Sequence, residues 1–286
     1  MTMSGREYIS LAVQTLVGTP VTPVTSIPIL PGTFRANEHW ENVLDRGRRG
    51  RDTMDYRSVQ GVGWSEITWE GDLLQGSTNS GTSAEKIGLG FLLDNLLGAN
   101  SVETLITNGN SAHRLILGTT KEYLTIEHAG LGSTDDRQFS ACRVTEIVIR
   151  FNAGEGPVTY RVTLQGFSHV DTGASAVQIT DNNRNAFMGW QGTAEVRGST
   201  NTRLISAEWT LRRSPSRYYS ATNTQNFADL YLGPLEVTCS LVFDYSVVTE
   251  IDIPRTNQQG TLATRFGSAA STLDLTTEET FAIGME

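Results

Sequence analysis

The sequence predicts an all-β protein with one or two helices on its flank: an antiparallel sandwich or barrel, built from two modules in tandem. Three observations carry this. Apolar and polar residues alternate through 158–165, 205–212 and 235–244, the period of half-buried antiparallel strands. Twenty-eight glycines against eight prolines supply many tight turns without a collagen-like repeat. Only one stretch, 82–97, has a full helical period with a start and a stop signal.

Taken in order, residues 1–34 hold Gly18, Pro20, Pro23, Pro28, Pro31 and Gly32, and each proline biases its predecessor to extended backbone. This predicts an extended N-terminal arm draped over its own domain or a neighbour. Residues 35–60 are polar and charge-dense, a long loop or hairpin tip running through Arg46, Arg48, Arg49 and Arg51. A strand with a possible bulge follows over 62–74, containing Trp64, Ile67 and Trp69, and then a flexible link at 76–81.

The helix over 82–97 opens on Thr82 and Glu85, spaced as a capping box in which each side chain satisfies an orphan backbone N–H. Ile87, Phe91, Leu92, Leu93, Leu96 and Leu97 form its apolar face, and Gly98 is placed to end it. Ile87, Phe91, Leu92 and Leu96 are the expected packing contacts of this flank helix. Gly88 and Gly90 inside it suggest a close approach there.

Beyond it strands dominate. Val158, Tyr160, Val162 and Leu164 alternate with Thr159, Arg161, Thr163 and Gln165. Ile205, Ala207, Trp209 and Leu211 alternate with polar residues, as do Leu235, Val237, Cys239, Leu241 and Phe243. Shorter strands are expected at 114–117, 122–127, 143–151, 193–196 and 272–275, with a further one at 280–283. Residues 152–156, rich in glycine, read as a hairpin connection.

An internal echo suggests the tandem arrangement. Strand, Ser/Gly/Thr link and helix over 62–97 recur as strand, link and short helix over 203–232, the second helix lying at about 222–232. The expected division is an arm at 1–34, a first module at 35–170 and a second at 171–286.

Composition excludes several functions. A net charge of −9 opposes general nucleic-acid binding. No stretch approaches the roughly 20 apolar residues that span a bilayer, and the N-terminus lacks the pattern of a signal peptide. Cytoplasmic folding is therefore expected, and in a reducing compartment Cys142 and Cys239 read as buried free thiols rather than a disulfide. His39, His113, His128 and His169 are scattered singly with no metal-ligand spacing, and read as surface or satisfied polar residues. No phosphate loop or nucleophile elbow occurs. Asp135 and Asp136 read as a solvated turn, and no local signal selects a pair of catalytic carboxylates. No cofactor, metal or catalytic residue is expected.

Two clusters remain. Arg46, Arg48, Arg49 and Arg51 lie beside Glu38, Glu41, Asp45, Asp52 and Asp55, so the stretch is nearly neutral. A salt-bridging loop at a subunit interface fits this better than a DNA contact, since Arg pairs directionally with carboxylates. Tyr218 and Tyr219, after Arg212 and Arg213, could stack on bases or sugars, but fit a strand end or an interface better.

The order of these features resembles the tail tube (major tail) proteins of long-tailed, non-contractile bacteriophages. The opening EYISLAVQ (7–14) followed by Gly18 and Pro20 resembles the start of one such group. The strand over 61–72 before a helix ending LLDNLLG (92–98) resembles its strand-then-helix passage. CRVTEIVI (142–149) with 158–166 is similar to its central hairpin, and GPLEVTCSL (233–241) to a late strand. The resemblance implies a structural virion protein that polymerises into stacked rings, forming a conduit for genome delivery after assembly in the host cytoplasm. Its partners would be further copies of itself, in trimeric pseudo-sixfold or hexameric rings, together with tape-measure, tail terminator and distal tail proteins. DNA would pass through an acidic lumen without specific binding. The arm and residues 40–58, including Arg46, Arg48, Arg49, Arg51, Asp52 and Asp55, would then contact the adjacent ring. Which of Glu146, Glu195, Glu208, Glu236 and Asp244 face the lumen is left open, because alternation gives a face and not its direction. Three other readings compete: a carbohydrate-binding or adhesive β-sandwich with a concave aromatic patch, a polysaccharide hydrolase with opposed carboxylates, and the inner tube of a contractile machine.

Overall fold

The computed structural model describes residues 7–14, 16–23, 25–45, 57–74, 89–98, 102–106, 110–114, 117–119, 121–129, 136–172, 186–196, 199–201, 203–221, 224–244, 262–268 and 271–277. In chain order these form β1 (Tyr8–Gln14), β2 (Thr25–Pro28), β3 (Arg35–Asp45), β4 (Arg57–Asp72), α1 (Leu89–Leu97), β5 (Val102–Ile106), β6 (Asn110–Arg114), β7 (Tyr123–Ala129), β8 (Asp136–Asn152), β9 (Thr159–Gly166) and β10 (Val170–Thr172). After them come β11 (Gly192–Val196), β12 (Ser199–Asn201), β13 (Leu204–Tyr218), β14 (Asp229–Phe243), β15 (Leu262–Ser268) and β16 (Ser271–Thr277). The all-β expectation holds, with one helix among the described residues. Every strand pairing is antiparallel.

Ten strands form one sheet that branches at β8. The first part of β8 pairs with β7 on one side and β10 on the other, and its later part with β9 and β13. Between the two parts Ala141 takes a φ of 50°, a left-handed backbone that costs a non-glycine residue roughly 1–2 kcal/mol. Its N–H is held by Gln14 Oε1 at 2.8 Å, and Gln14 Nε2 donates to Thr125 Oγ1 at 2.9 Å, so a buried amide braces the bend. Two wings result. One runs β2–β1–β7–β8, and the other runs β3–β4–β9–β8–β13–β14. Their apolar faces share a single core in which Ile9, Leu11, Leu124 and Ile126 of the first wing meet Trp69, Val162, Ile149 and Trp209 of the second. A four-stranded sheet, β12–β11–β15–β16, and the β5–β6 hairpin complete the described strands.

Helix α1 lies against this core. Leu92 and Leu96 are fully buried and Phe91 is partly buried against the same cluster; Ile87, Thr82 and Glu85 fall outside the described residues. Gly98 ends the helix at φ 63°, its N–H donating to Asp94 O at 2.9 Å. Asn95 is buried yet fully used: its Nδ2 donates to Glu122 O at 3.0 Å and its Oδ1 accepts the Val144 N–H at 2.8 Å, pinning the helix to β8. Arg213 Nη1 reaches the helix end at Leu96 O, 3.1 Å away.

Of the two placements expected for the segment 1–34, its described part takes the first, as two strands of the molecule's own sheet with Ile9, Leu11, Ile27 and Ile29 in the core. Ile9 to Ala12 are buried in an unbroken run, because β1 has a strand on either side, and the prolines lie in the connections or at the end of β2. Several other expectations are corrected. The short helix at about 222–232 does not form in the described residues. Phe227 is buried in a bent segment, and β14 starts at Asp229 because residues 229–243 pair along β13. The internal echo therefore lacks its second helix. Asp136 is not in a solvated turn but buried at the start of β8. Gly90 makes no close approach, since a Cβ there would meet nothing within 4 Å. The residues at 35–45 and 57–60 are strand rather than loop, Asp45 pairing with Arg57, and 46–56 lie outside the described residues. The strand expected at 280–283 lies outside the described residues. Cys142 and Cys239 are free, and burial pushes both thiols up, Cys239 to about 12 and Cys142 further.

Asn95→Ala would leave the buried Val144 N–H and the part-buried Glu122 carbonyl without this partner, a loss of about 2 kcal/mol. Urea unfolding should show a lower midpoint with an unchanged slope; an unaltered midpoint would remove Asn95 from the helix attachment.

Candidate functional site

The β3–β4–β9–β8–β13–β14 wing has one dry face and one wet face, because directly opposed residues in antiparallel strands share a face. Three rows define the wet face. The first runs Glu236, Arg212, Glu146, Thr163, Thr68 and Arg35, one residue from each strand from β14 to β3. The second runs Thr238, Thr210, Val148, Arg161 and Glu70, and within it Val148 is buried. The third runs Ser240, Glu208, Arg150, Thr159 and Asp72. Of the acids whose direction the sequence left open, Glu146, Glu208 and Glu236 therefore share this face. Asp244 lies just past β14, exposed and bridged to Arg203 at 3.5 Å, and the Glu195 side chain is outside the described residues.

Arginines on this face stand among carboxylates. Arg150 Nε donates to Glu208 Oε2 at 2.6 Å, and Arg161 Nη2 lies 3.6 Å from Glu146 Oε1 with Glu70 directly opposite. Arg212 has Glu146 on one side and Glu236 on the other. Arg35 donates to the carbonyls of Gly32 and Phe34 at 2.9 and 3.0 Å.

Both outer strands of the wing are unpaired along one edge among the described residues: β3 pairs only with β4, and β14 only with β13. Such edges offer rows of N–H and C=O groups to another chain.

An open cleft of about 390 Å³ lies beside β3, lined by Glu38, His39, Trp40, Trp64, Arg217 and Tyr219 among others. Its Trp64 ring is already stacked. The Arg217 guanidinium sits 3.8 Å over the Trp64 ring, and His39 stacks on the same indole at 4.0 Å and 15°. Trp40 covers Gly63, where a Cβ would come within 2.4 Å of its ring, so only glycine fits. Close by, His169 Nδ1 contacts Glu38 Oε1 at 2.5 Å. Burial would raise Glu38, but that ring and the His169 backbone N–H hold it below the ordinary glutamate range.

Tyr218 is exposed at the end of β13, whereas Tyr219 packs with Phe227 and Tyr123. Beneath them Asp229 accepts hydrogen bonds from Lys121, Tyr123 and the Leu230 N–H. Burial alone would raise Asp229, and these donors lower it instead. Among the described residues no group of three His, Cys, Asp or Glu could hold a metal, and no helix is long and apolar enough to cross a membrane. The proposed interface residues Arg46, Arg48, Arg49, Arg51, Asp52 and Asp55 fall outside the described residues.

A family model described as phage tail tube protein matches residues 5–285. The chain belongs to the phage tail tube protein family. It is thus a structural component of a virion tail, from a family that assembles with itself into a tube. No curated protein matches the chain.

One histidine of this tail tube chain departs from the expectation of satisfied or surface residues. His128 on β7 is buried, stacked on Phe34 at 3.8 Å, and neither ring nitrogen has a hydrogen-bond partner. Burial pulls it down to about 4, with Arg137 acting in the same direction and Glu7 opposing it. The folded protein keeps this ring neutral while the unfolded chain protonates it near pH 6.5, so its contribution is complete above that pH and is lost as pH falls toward 4. The loss should approach about 1 kcal/mol per pH unit within that window. Unfolding midpoints compared between pH 7 and 5 should fall less in His128→Leu than in the parent; equal slopes would rule His128 out as the titrating group.

Proposed function

We propose that this chain polymerises into stacked rings that form the wall of a phage tail tube, with the wet face of the six-stranded wing toward the lumen. One observation carries the reading. Six strands in strict antiparallel alternation leave β3 and β14 as free edges running in opposite directions. A second copy related by rotation about an axis then presents β3 beside β14 of the first with the correct antiparallel polarity. Such a heterologous contact closes into a ring and removes both exposed edges. The dry face stays covered by the first wing and α1, so the continuous inner surface is the polar one.

Continuity of one sheet across the expected 170/171 division supports one module per chain and hence six copies per ring, in preference to three. The arginines and acids that link β3 to β4 in sequence, from Arg46 to Asp55, suit ion pairs with an adjacent ring. Tape-measure, terminator and distal tail proteins would meet the lumen and the two ends of such a tube, assembled in the host cytoplasm around no catalytic site. The cleft beside β3 favours a carbohydrate-binding reading only weakly, because its Trp64 ring is already stacked by Arg217 and His39.

Negative-stain microscopy of the purified protein at rising concentration should show hollow tubes, and monomers at every concentration would contradict the proposal. Replacing 46–56 by a short Gly-Ser turn should leave folded subunits or single rings that need at least tenfold more protein to form tubes. Normal tubes from that variant would remove this segment from the inter-ring contact.

A further inference from the structure

Exposed apolar side chains are not scattered over this molecule. Leu16, Val17, Tyr218 and Tyr231 are exposed at one end of the six-stranded wing. Tyr218 closes β13, and Tyr231 is among the first residues of β14. Leu16 and Val17 reach the same end beside Gly18, where a Cβ would come within 2.8 Å of Phe167, and Phe167 packs edge-on against Phe227 of the β13–β14 connection at 4.7 Å. Trp190, Ile205 and Val242 are exposed at the other end, where β8 stops and β13 begins. The Ile205 carbonyl accepts the Ala153 N–H at 2.8 Å, and Val242 is level with Ser206 and Asn152 across the sheet. The glycines on either side of Trp190 lie against the last residues of β8. A Cβ on Gly189 would come within 2.0 Å of Asn152 O, and one on Gly192 within 2.9 Å of the Phe151 ring. Of the exposed large apolar residues described, only Leu117 and Val170 lie elsewhere.

Single exposed apolar residues are ordinary, whereas groups of them mark contacts with another molecule. Two unlike groups at opposite ends of the same strands select the partner. A ligand or a foreign protein would use one group and leave the other bare. A second copy shifted along the strands covers both, because it brings one end onto the other, and such a heterologous contact repeats without closing. A family that builds a tube from copies of itself requires an open contact of that kind. We infer that Trp190, Ile205 and Val242 of one copy seat on Leu16, Val17 and Tyr218 of the next copy along the tube axis, as the apolar centre of the contact between rings. Charged groups beside each end suit a polar rim: Arg203 with Asp244 next to Ile205 and Val242, and Lys121 with Asp229 next to Tyr218. Tyr231, with Lys121 4.3 Å above its ring, belongs to that rim. This deepens the reading of stacked rings and rests on it: pairing of β3 with β14 extends the sheet sideways, which leaves the strand ends as the two faces of a ring.

The test uses the full-length protein, with rings and tubes scored by electron microscopy and folding by urea midpoints. Trp190→Ser with Ile205→Ser removes one group, and Leu16→Ser with Tyr218→Ser removes the other. Either double variant should keep the parent's midpoint and form rings, yet need roughly tenfold more protein to form tubes. Val170→Ser, at an exposed site away from both ends, should assemble as the parent does. Rings of the two double variants, once mixed, have one intact pair of ends between them, and should form stacks two rings high that grow no further. Where a double variant loses its fold, the single change at Trp190 or Leu16, residues 70% and 67% exposed, takes its place. Tubes from the end variants at the parent's concentration would overturn the inference. So would mixed rings that never pair, or a Val170 variant that assembles as poorly as the end variants. Each of these results leaves the reading of stacked rings in place, whereas a parent that forms no tubes at any concentration sinks that reading instead.

Discussion

β8 is the strand through which the whole ten-stranded sheet is connected. Its first part is hydrogen-bonded to β7 and β10, and its later part to β9 and β13, so the two wings have no other shared strand. β8 has partners on both sides and is buried at most of its positions, while Glu146 and Arg150 stand on the wet face. The bend at Ala141 folds one wing over the other, and that fold produces a single dry core together with a single wet face. Helix, N-terminal strands and edge strands all take their places from this arrangement.

Dryness on one side and water on the other then sets what the molecule offers to other copies. Ile149, Trp209 and Val162 commit the inner side of the wing to the core, which leaves Arg150, Glu208 and Arg161, their sequence neighbours, to face outward. The face is polar and mixed in sign, its acids outnumbering its arginines. A wing with this face and two free, oppositely directed edges suits the sideways extension proposed for it, and that proposal fits a chain of the tail tube family.

Much of this was legible in the sequence. Alternation over 158–165, 205–212 and 235–244 found β9, β13 and β14, and the leucines before Gly98 found the helix and its end. The orientation of each alternation was not legible, because it depends on which strands pair. Glu146, Glu208 and Glu236 fall on one face only once β13 is seen between β8 and β14. Local pattern failed where tertiary pairing overrode it. Phe227 and Leu230 are spaced as on a helix, yet the second begins a strand zipped to β13. The N-terminal prolines signalled an arm, but Ile9 and Leu11 gained more by entering the core than by remaining free to reach a neighbour. Asp136 followed turn residues and was misread for the same reason: the strand it opens is decided by β10 and β7, far away in the chain. The stack of Arg217, Trp64 and His39 carries no local signal at all, since its members lie on three strands.

The central claim is that β3 of one copy joins β14 of the next. Hydrogen–deuterium exchange on dispersed subunits and on assembled protein tests it most directly, because edge amides are exposed in one state and paired in the other. The account predicts new protection on assembly in Arg35–Asp45 and in Asp229–Phe243, at alternate amides, with little change in β9 or in α1. Protection that leaves both edge strands as fast-exchanging as in the free subunit, and appears instead on β2 or the helix, would contradict it.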